Sequence, residues 1–156
     1  MLEKCQNAQE RWGGVSDIID TLLASRQSLI SLFVALPSQS ITHGLNEKLS
    51  KFCVLLMDYL SSGHFEVYEQ LLREGSEFND GSVEAAQQLF PLIQPTTDQA
   101  LDFNDKYSSM ADPSVQQIRE FAEQLSLLGE ALESRFMLED KLIETLHLAH
   151  NQPSVT

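Results

Sequence analysis

The stretch Leu127–Ile143, LLGEALESRFMLEDKLI, decides the fold. It is an uninterrupted helical run, strongly apolar on one face. Extended to both sides, that face reads Ile118, Phe121, Leu125, Leu128, Leu132, Leu142, Ile143 and Leu146. At about 100° per residue, Glu139 falls within roughly 20° of the centre of this stripe. Arg135 lies about 60° off centre and four residues earlier, within reach of Glu139 on a helix. A carboxylate facing a core must find a partner. Two readings stay open: Arg135 and Glu139 form a buried salt bridge that locks the core, or they line a polar pocket between helices that takes a partner or ligand.

The rest of the chain repeats the helical pattern. Cys5, Ala8, Trp12, Val15, Ile19, Leu22, Arg26, Leu29, Phe33 and Leu36 step by threes and fours, the seam of a long first helix. Gly13-Gly14 is expected to weaken or bend it. Arg26 occupies a seam position, either snorkelling to water, pairing inside the protein or anchoring a partner. Pro37 ends this helix, and a short loop implies an antiparallel neighbour. Leu45, Leu49, Phe52, Leu56 and Tyr59 mark the next helix, whose extra apolar residues (Val54, Leu55, Met57, Leu60) suggest a central place. Beyond Ser61-Ser62-Gly63, the set Phe65, Tyr68, Leu71 and Leu72 falls on a different side. A break or sharp kink, then a short helix over about His64–Arg73, is expected. GSEFNDG (75–81) reads as a loop, and Ser82 as the cap of the following helix. Pro91 and Pro95 predict a kink or restart, with helix resuming over about Thr97–Met110. Asp112-Pro113 reads as the start of the last helix, running to about His150. The expected architecture is all-α: a single domain over 1–156, an antiparallel up-down-up-down four-helix bundle with one additional short helix.

Twenty-three acidic residues against 10 basic give a net charge of −13. Such a field repels nucleic acid and anionic membranes and attracts basic partners, although solubility alone is the plainer reading. The polar start, MLEKCQNAQERW, lacks the apolar core of a secretory signal. No apolar run approaches the roughly 20 residues needed to cross a bilayer. A cytoplasmic protein without membrane contact is expected. Cys5 and Cys53, far apart, read as reduced thiols, with a redox pair as the alternative.

Chemistry-bearing motifs are sparse. Glu144 and His147 form one E-x-x-H, where carboxylate di-iron bundles need two plus further inward glutamates, so no metal or cofactor is expected. His147 and His150 suit a helix C-terminus. His64 and Tyr68 lie four apart without a nucleophile, and packing with a polar tip accounts for them. There is no G-x-S-x-G, P-loop or G-x-G-x-x-G. A non-enzymatic, protein-binding module follows.

Four strings then stand out in order: NAQERWGGV with IID, LNEKL-x-x-FC, DYLSSGHFEVYEQLL and LGEALESRFMLEDKLI. Together they resemble the Rsd/AlgQ family of anti-sigma factors. The resemblance covers most of the chain and is weakest over Gly75–Met110. It implies a helical bundle that binds region 4 of the primary sigma subunit of bacterial RNA polymerase. Region 4 is a basic helix-turn-helix module that reads the −35 element and touches core polymerase. Blocking both contacts would regulate transcription in stationary phase. Matching positions include Asp20, Arg26, Asp58, His64 and Tyr68 for the partner surface or the pocket beneath it, and Arg135 and Glu139 for a polar core network. Family members often carry Asp-Arg-Trp where this chain has Asp20, Thr21 and Leu22. A monomer is expected. The alternatives are a regulator of another protein, such as an alarmone enzyme, and a ligand-binding bundle.

Overall fold

The computed structural model describes residues 8–36, 45–108 and 114–148, with side chains described over 16–36, 47–108 and 114–148. Six α-helices follow in order: α1 (Ala8–Ala35), α2 (Leu45–Ser62), α3 (Glu69–Ser76), α4 (Ser82–Gln87), α5 (Phe90–Tyr107) and α6 (Val115–Ile143). Two π-helical turns join them, Gly63–Tyr68 between α2 and α3, and Glu144–Leu148 after α6. There is no strand among the described residues.

Contacts between helices fix the topology. Arg26 meets Tyr59, and Phe33 meets Phe52, so α1 and α2 run antiparallel. Tyr68 packs on Phe90 and Phe52 on Phe103, which sets α2 against α5. Arg135 reaches Thr96, and Phe121 stacks near Tyr107, which sets α5 against α6. Arg26 meets Asp140, and Ser16 meets His147, returning α6 to α1. The four long helices therefore form the up-down-up-down bundle. At one crossing, a Cβ on Gly129 would stand 2.8 Å from Cζ of Phe33. The glycine of the LLGEAL string lets α1 and α6 approach at that aromatic ring.

The break expected at Ser61-Ser62-Gly63 is absent, and His64–Arg73 is not a separate helix. The chain stays helical from Leu45 to Ser76. Tyr59, Gly63, Val67, Leu71 and Gly75 are all buried and step by fours. In a straight α-helix each step of four drifts by about 40°. Wider i→i+5 turns absorb that drift, so the shift of face is real but comes without a break. The same solution recurs in α6, where Arg135, Glu139, Ile143 and His147 step by fours into the second π turn.

Other boundaries also moved. Gly13-Gly14 lies inside continuous helix. Gly81, with φ of 87°, precedes α4 where Ser82 was expected to cap. The left-handed backbone there suits glycine. Helix α5 starts at Phe90, earlier than Thr97, with Pro91 in its first turn and Pro95 inside it. Ser114, not Asp112, caps α6: its Oγ accepts from the Gln117 amide, and the Gln117 side chain accepts from the Ser114 amide. Asp112, Pro113, His150 and Cys5 lie outside the described residues.

Helix α1 corrects a further expectation. By length and composition, Ser16–Ala35 is apolar enough to cross a membrane, with mean hydropathy 1.4. Unbroken apolar runs here are short, because Ser, Asp, Thr, Arg26 and Gln27 interrupt them, whereas a mean over the helix averages across those interruptions. In this fold Ile19, Leu22 and Leu29 turn into the core while Asp17 and Asp20 stay exposed.

Candidate functional site: a carboxylate held by two Arg–Tyr arms

Glu139 is 1% exposed and sits where α1, α2, the first π turn and α6 converge. Each of its oxygens receives a tyrosine and an arginine. On Oε1, the Tyr59 hydroxyl donates, and Arg26 Nη2 approaches to 3.3 Å. Arg26 Nε in turn donates to the Tyr59 oxygen at 3.1 Å. On Oε2, the Tyr68 hydroxyl donates at 2.5 Å, and Arg135 Nε donates at 3.3 Å. Arg135 Nη2 donates to the Tyr68 oxygen at 3.1 Å. The result is two Arg→Tyr→carboxylate chains, one per oxygen. Charge-assisted bonds of this kind are the strong ones, and they satisfy a carboxylate that burial would otherwise penalise.

The far ends of the arms differ. Arg135 is fully enclosed, and its Nη1 donates to the hydroxyls of Thr97 at 2.7 Å and Thr96 at 3.2 Å on α5. Arg26 lies over the Phe136 ring, 4.7 Å from its centroid, and its Nη1 reaches the exposed Asp140 at 2.7 Å. Burial alone would lower the pKa of Arg26. The Tyr59 hydroxyl, with Asp140 and Glu139, outweighs it and leaves the guanidinium raised and charged. Burial, then the Glu139 charge, pushes both tyrosine hydroxyls well above their ordinary value, so both stay protonated donors.

Beside the Arg135 arm, a cleft of about 270 Å³ opens between α2 with its π turn and α5. Met57, Leu60, Ser61, His64 and Phe65 form one wall, Gln94, Thr97 and Leu101 the other, and Arg135 the floor. A second buried polar cluster lies where α3 meets the second π turn. There His147 Nδ1 meets both Glu74 oxygens at 3.0 Å, and its Nε2 meets Ser16 Oγ at 3.1 Å.

The structure thus joins Arg26, Tyr68, Arg135 and Glu139 in one assembly and leaves Asp20 and Asp58 exposed on α1 and α2. Tyr68 is 3% exposed, and its hydroxyl is spent on Glu139. His64 is exposed rather than packed in the core, its ring edge-on to Phe65 at 4.8 Å. His147 is buried against Glu74 rather than sitting at a solvated helix end. No cluster of three or more His, Cys, Asp or Glu side chains suited to a metal occurs among the described residues.

The family model for "Regulator of RNA polymerase sigma(70) subunit, Rsd/AlgQ" matches residues 1–147. The chain belongs to the Rsd/AlgQ family. Similar proteins include the "Regulator of sigma D" of Enterobacter sp. (strain 638), 40% identical over 150 residues, covering 92% of this chain and 88% of the relative. The same-named protein of Salmonella paratyphi A is 38% identical over 148 residues, covering 92% and 90%. That of Salmonella arizonae is 37% identical over 150 residues, with the same coverage. No solved structure matches significantly. Within this family member, sequence reading missed Tyr59, Thr96 and Thr97 as network partners, and Glu74 as the partner of His147. Tyr59 carried a signal, since a buried tyrosine hydroxyl needs a partner.

Proposed function

We propose that this protein is a cytoplasmic, monomeric anti-sigma factor that binds region 4 of the primary sigma subunit and occludes its contacts with core polymerase and the −35 element, acting in stationary phase. The family match over residues 1–147 carries the reading, and the relatives are named as regulators of sigma D. The charge supports it: a chain of net charge −13 suits a basic partner. It acts by stoichiometric occupancy rather than turnover. Asp20, Asp58 and His64 are exposed and available as contacts. Arg26 belongs to the same set at the edge of the polar network, and Tyr68 supports it from beneath.

Size-exclusion chromatography of the purified chain with primary sigma subunit, intact or lacking region 4, tests this. A one-to-one complex with intact sigma and none with the truncated form is expected. Equal capture of both forms overturns region 4 as the target. Capture of neither overturns the anti-sigma reading.

A further inference from the structure

The cleft between α2 and α5 has features that the fold itself does not use. Phe65, on one wall, is 65% exposed, and Leu101, on the other, is 37% exposed. An exposed phenylalanine beside an open apolar cleft gives this fold little and is available to a partner. The cleft's size is informative. At about 270 Å³ it stands at the lower edge of the ordinary range for small-molecule sites, roughly 300–1,000 Å³. It has room for one or two side chains and none for a helix backbone.

Charge narrows the occupant further. The sequence has no Lys or Arg between Lys51 and Arg73, and none between Arg73 and Lys106. Both walls come from these cation-free stretches. Their exposed acids include Asp58, one residue from Met57, and Asp98, which accepts from the Gln94 side chain of the lining at 3.0 Å. Among the described lining residues Arg135 is the one Lys or Arg, and it is already engaged by Glu139, Tyr68, Thr96 and Thr97. An anionic small molecule therefore meets an acidic rim and a guanidinium that is already neutralised. A cationic surface carrying an apolar side chain meets complementary charge outside and apolar walls inside.

We infer that this cleft is the socket for one apolar anchor side chain on a basic amphipathic helix of the sigma subunit, a helix-in-groove contact centred on Phe65 and Leu101. The inference rests on the anti-sigma reading above and adds the site and chemistry of its anchor. Anchors of this kind dominate binding energy, and a rim of opposite charge sets encounter and register.

Calorimetric titration of the intact chain with purified primary sigma subunit tests it, using Phe65→Ala, Ser61→Trp and a remote control, Val115→Ala. Phe65→Ala removes a wall and Ser61→Trp fills the cleft. Both positions are exposed, so neither substitution enters the core. Val115 is 70% exposed at the start of α6. The expected result is a loss of affinity of about tenfold or more for both cleft variants, with Val115→Ala unchanged. Wild-type binding retained within about twofold in both cleft variants overturns the socket while leaving the anti-sigma reading intact. Absence of wild-type binding overturns both. Self-association of the chain that Ser61→Trp abolishes assigns the cleft to a second copy and also overturns the inference.

Discussion

The two arms that meet at Glu139 are built alike and end differently. Each runs arginine to tyrosine to carboxylate oxygen. The Arg135 arm ends in the hydroxyls of Thr96 and Thr97 on α5, and Arg135 is 1% exposed. The Arg26 arm ends at Asp140, whose side chain is 60% exposed. A sealed arm holds the bundle together, because removing either partner leaves a buried charge unpaired. An open arm is free to exchange partners, because water and surface groups can replace what is removed. One carboxylate thus ties α5 and α6 to the half that carries Arg26 at its edge and Asp20 and Asp58 on its surface.

The largest effect that separates the arms comes from deleting their arginines. Arg135→Leu leaves the buried Glu139 with one arginine, Arg26, beside the two tyrosine hydroxyls, and takes the shared donor from Thr96 and Thr97. It is expected to destabilise by about 3–5 kcal/mol. Arg26→Leu removes bonds at the edge of the network and is expected to destabilise by about 1–3 kcal/mol. Thermal unfolding checks both, with roughly 2–4 °C of Tm per kcal/mol for a chain of this size. Equal losses would erase the distinction between the arms.

Periodicity made part of this site legible. Glu139 near the centre of an apolar stripe, with Arg135 one turn before it, is visible because both lie on one helix and the α-helical angle is known. Their other partners lie on α1, α2 and α5. No spacing within one helix shows which tyrosine of another helix will face it. Spacing therefore gives Tyr59 as an apolar-face position with no partner named, and His147 as part of a single E-x-x-H or a residue suited to a helix C-terminus, with Glu74 unseen. The bundle itself was legible from loop lengths and seams. Its two π turns were half legible: the shift of face past Ser62 is written in the spacing, but spacing alone does not separate a widened turn from a break. Ser114 was hidden by the stronger-looking Asp112-Pro113 signal. Function came from the family strings, since the acidic charge suits many basic partners.

A smaller effect appears at alkaline pH. Burial pushes the Cys53 thiol from its ordinary value up to about 11, and burial, then the Glu139 charge, raises both network tyrosines. The folded protein therefore holds protons that the unfolded chain releases. The stabilisation is fully present below the unfolded values, near pH 9 for the thiol and 10 for the phenols, and is lost as pH rises through the folded ones. Denaturant titrations are expected to show stability falling from about pH 9 upward, with a shallower fall above pH 10 in Tyr68→Phe than in wild type. An identical slope in the two proteins would mean that Tyr68 is not held protonated by the fold.

The most direct measurement is the affinity of the intact chain for purified primary sigma subunit across a salt series. Binding of a basic region by a chain of net charge −13 is expected to be tightest at low salt and to weaken steadily as ionic strength rises, because surface charges are screened. Affinity that stays flat across the series, or no binding at low salt, would contradict the account of an acidic bundle that captures a basic sigma region.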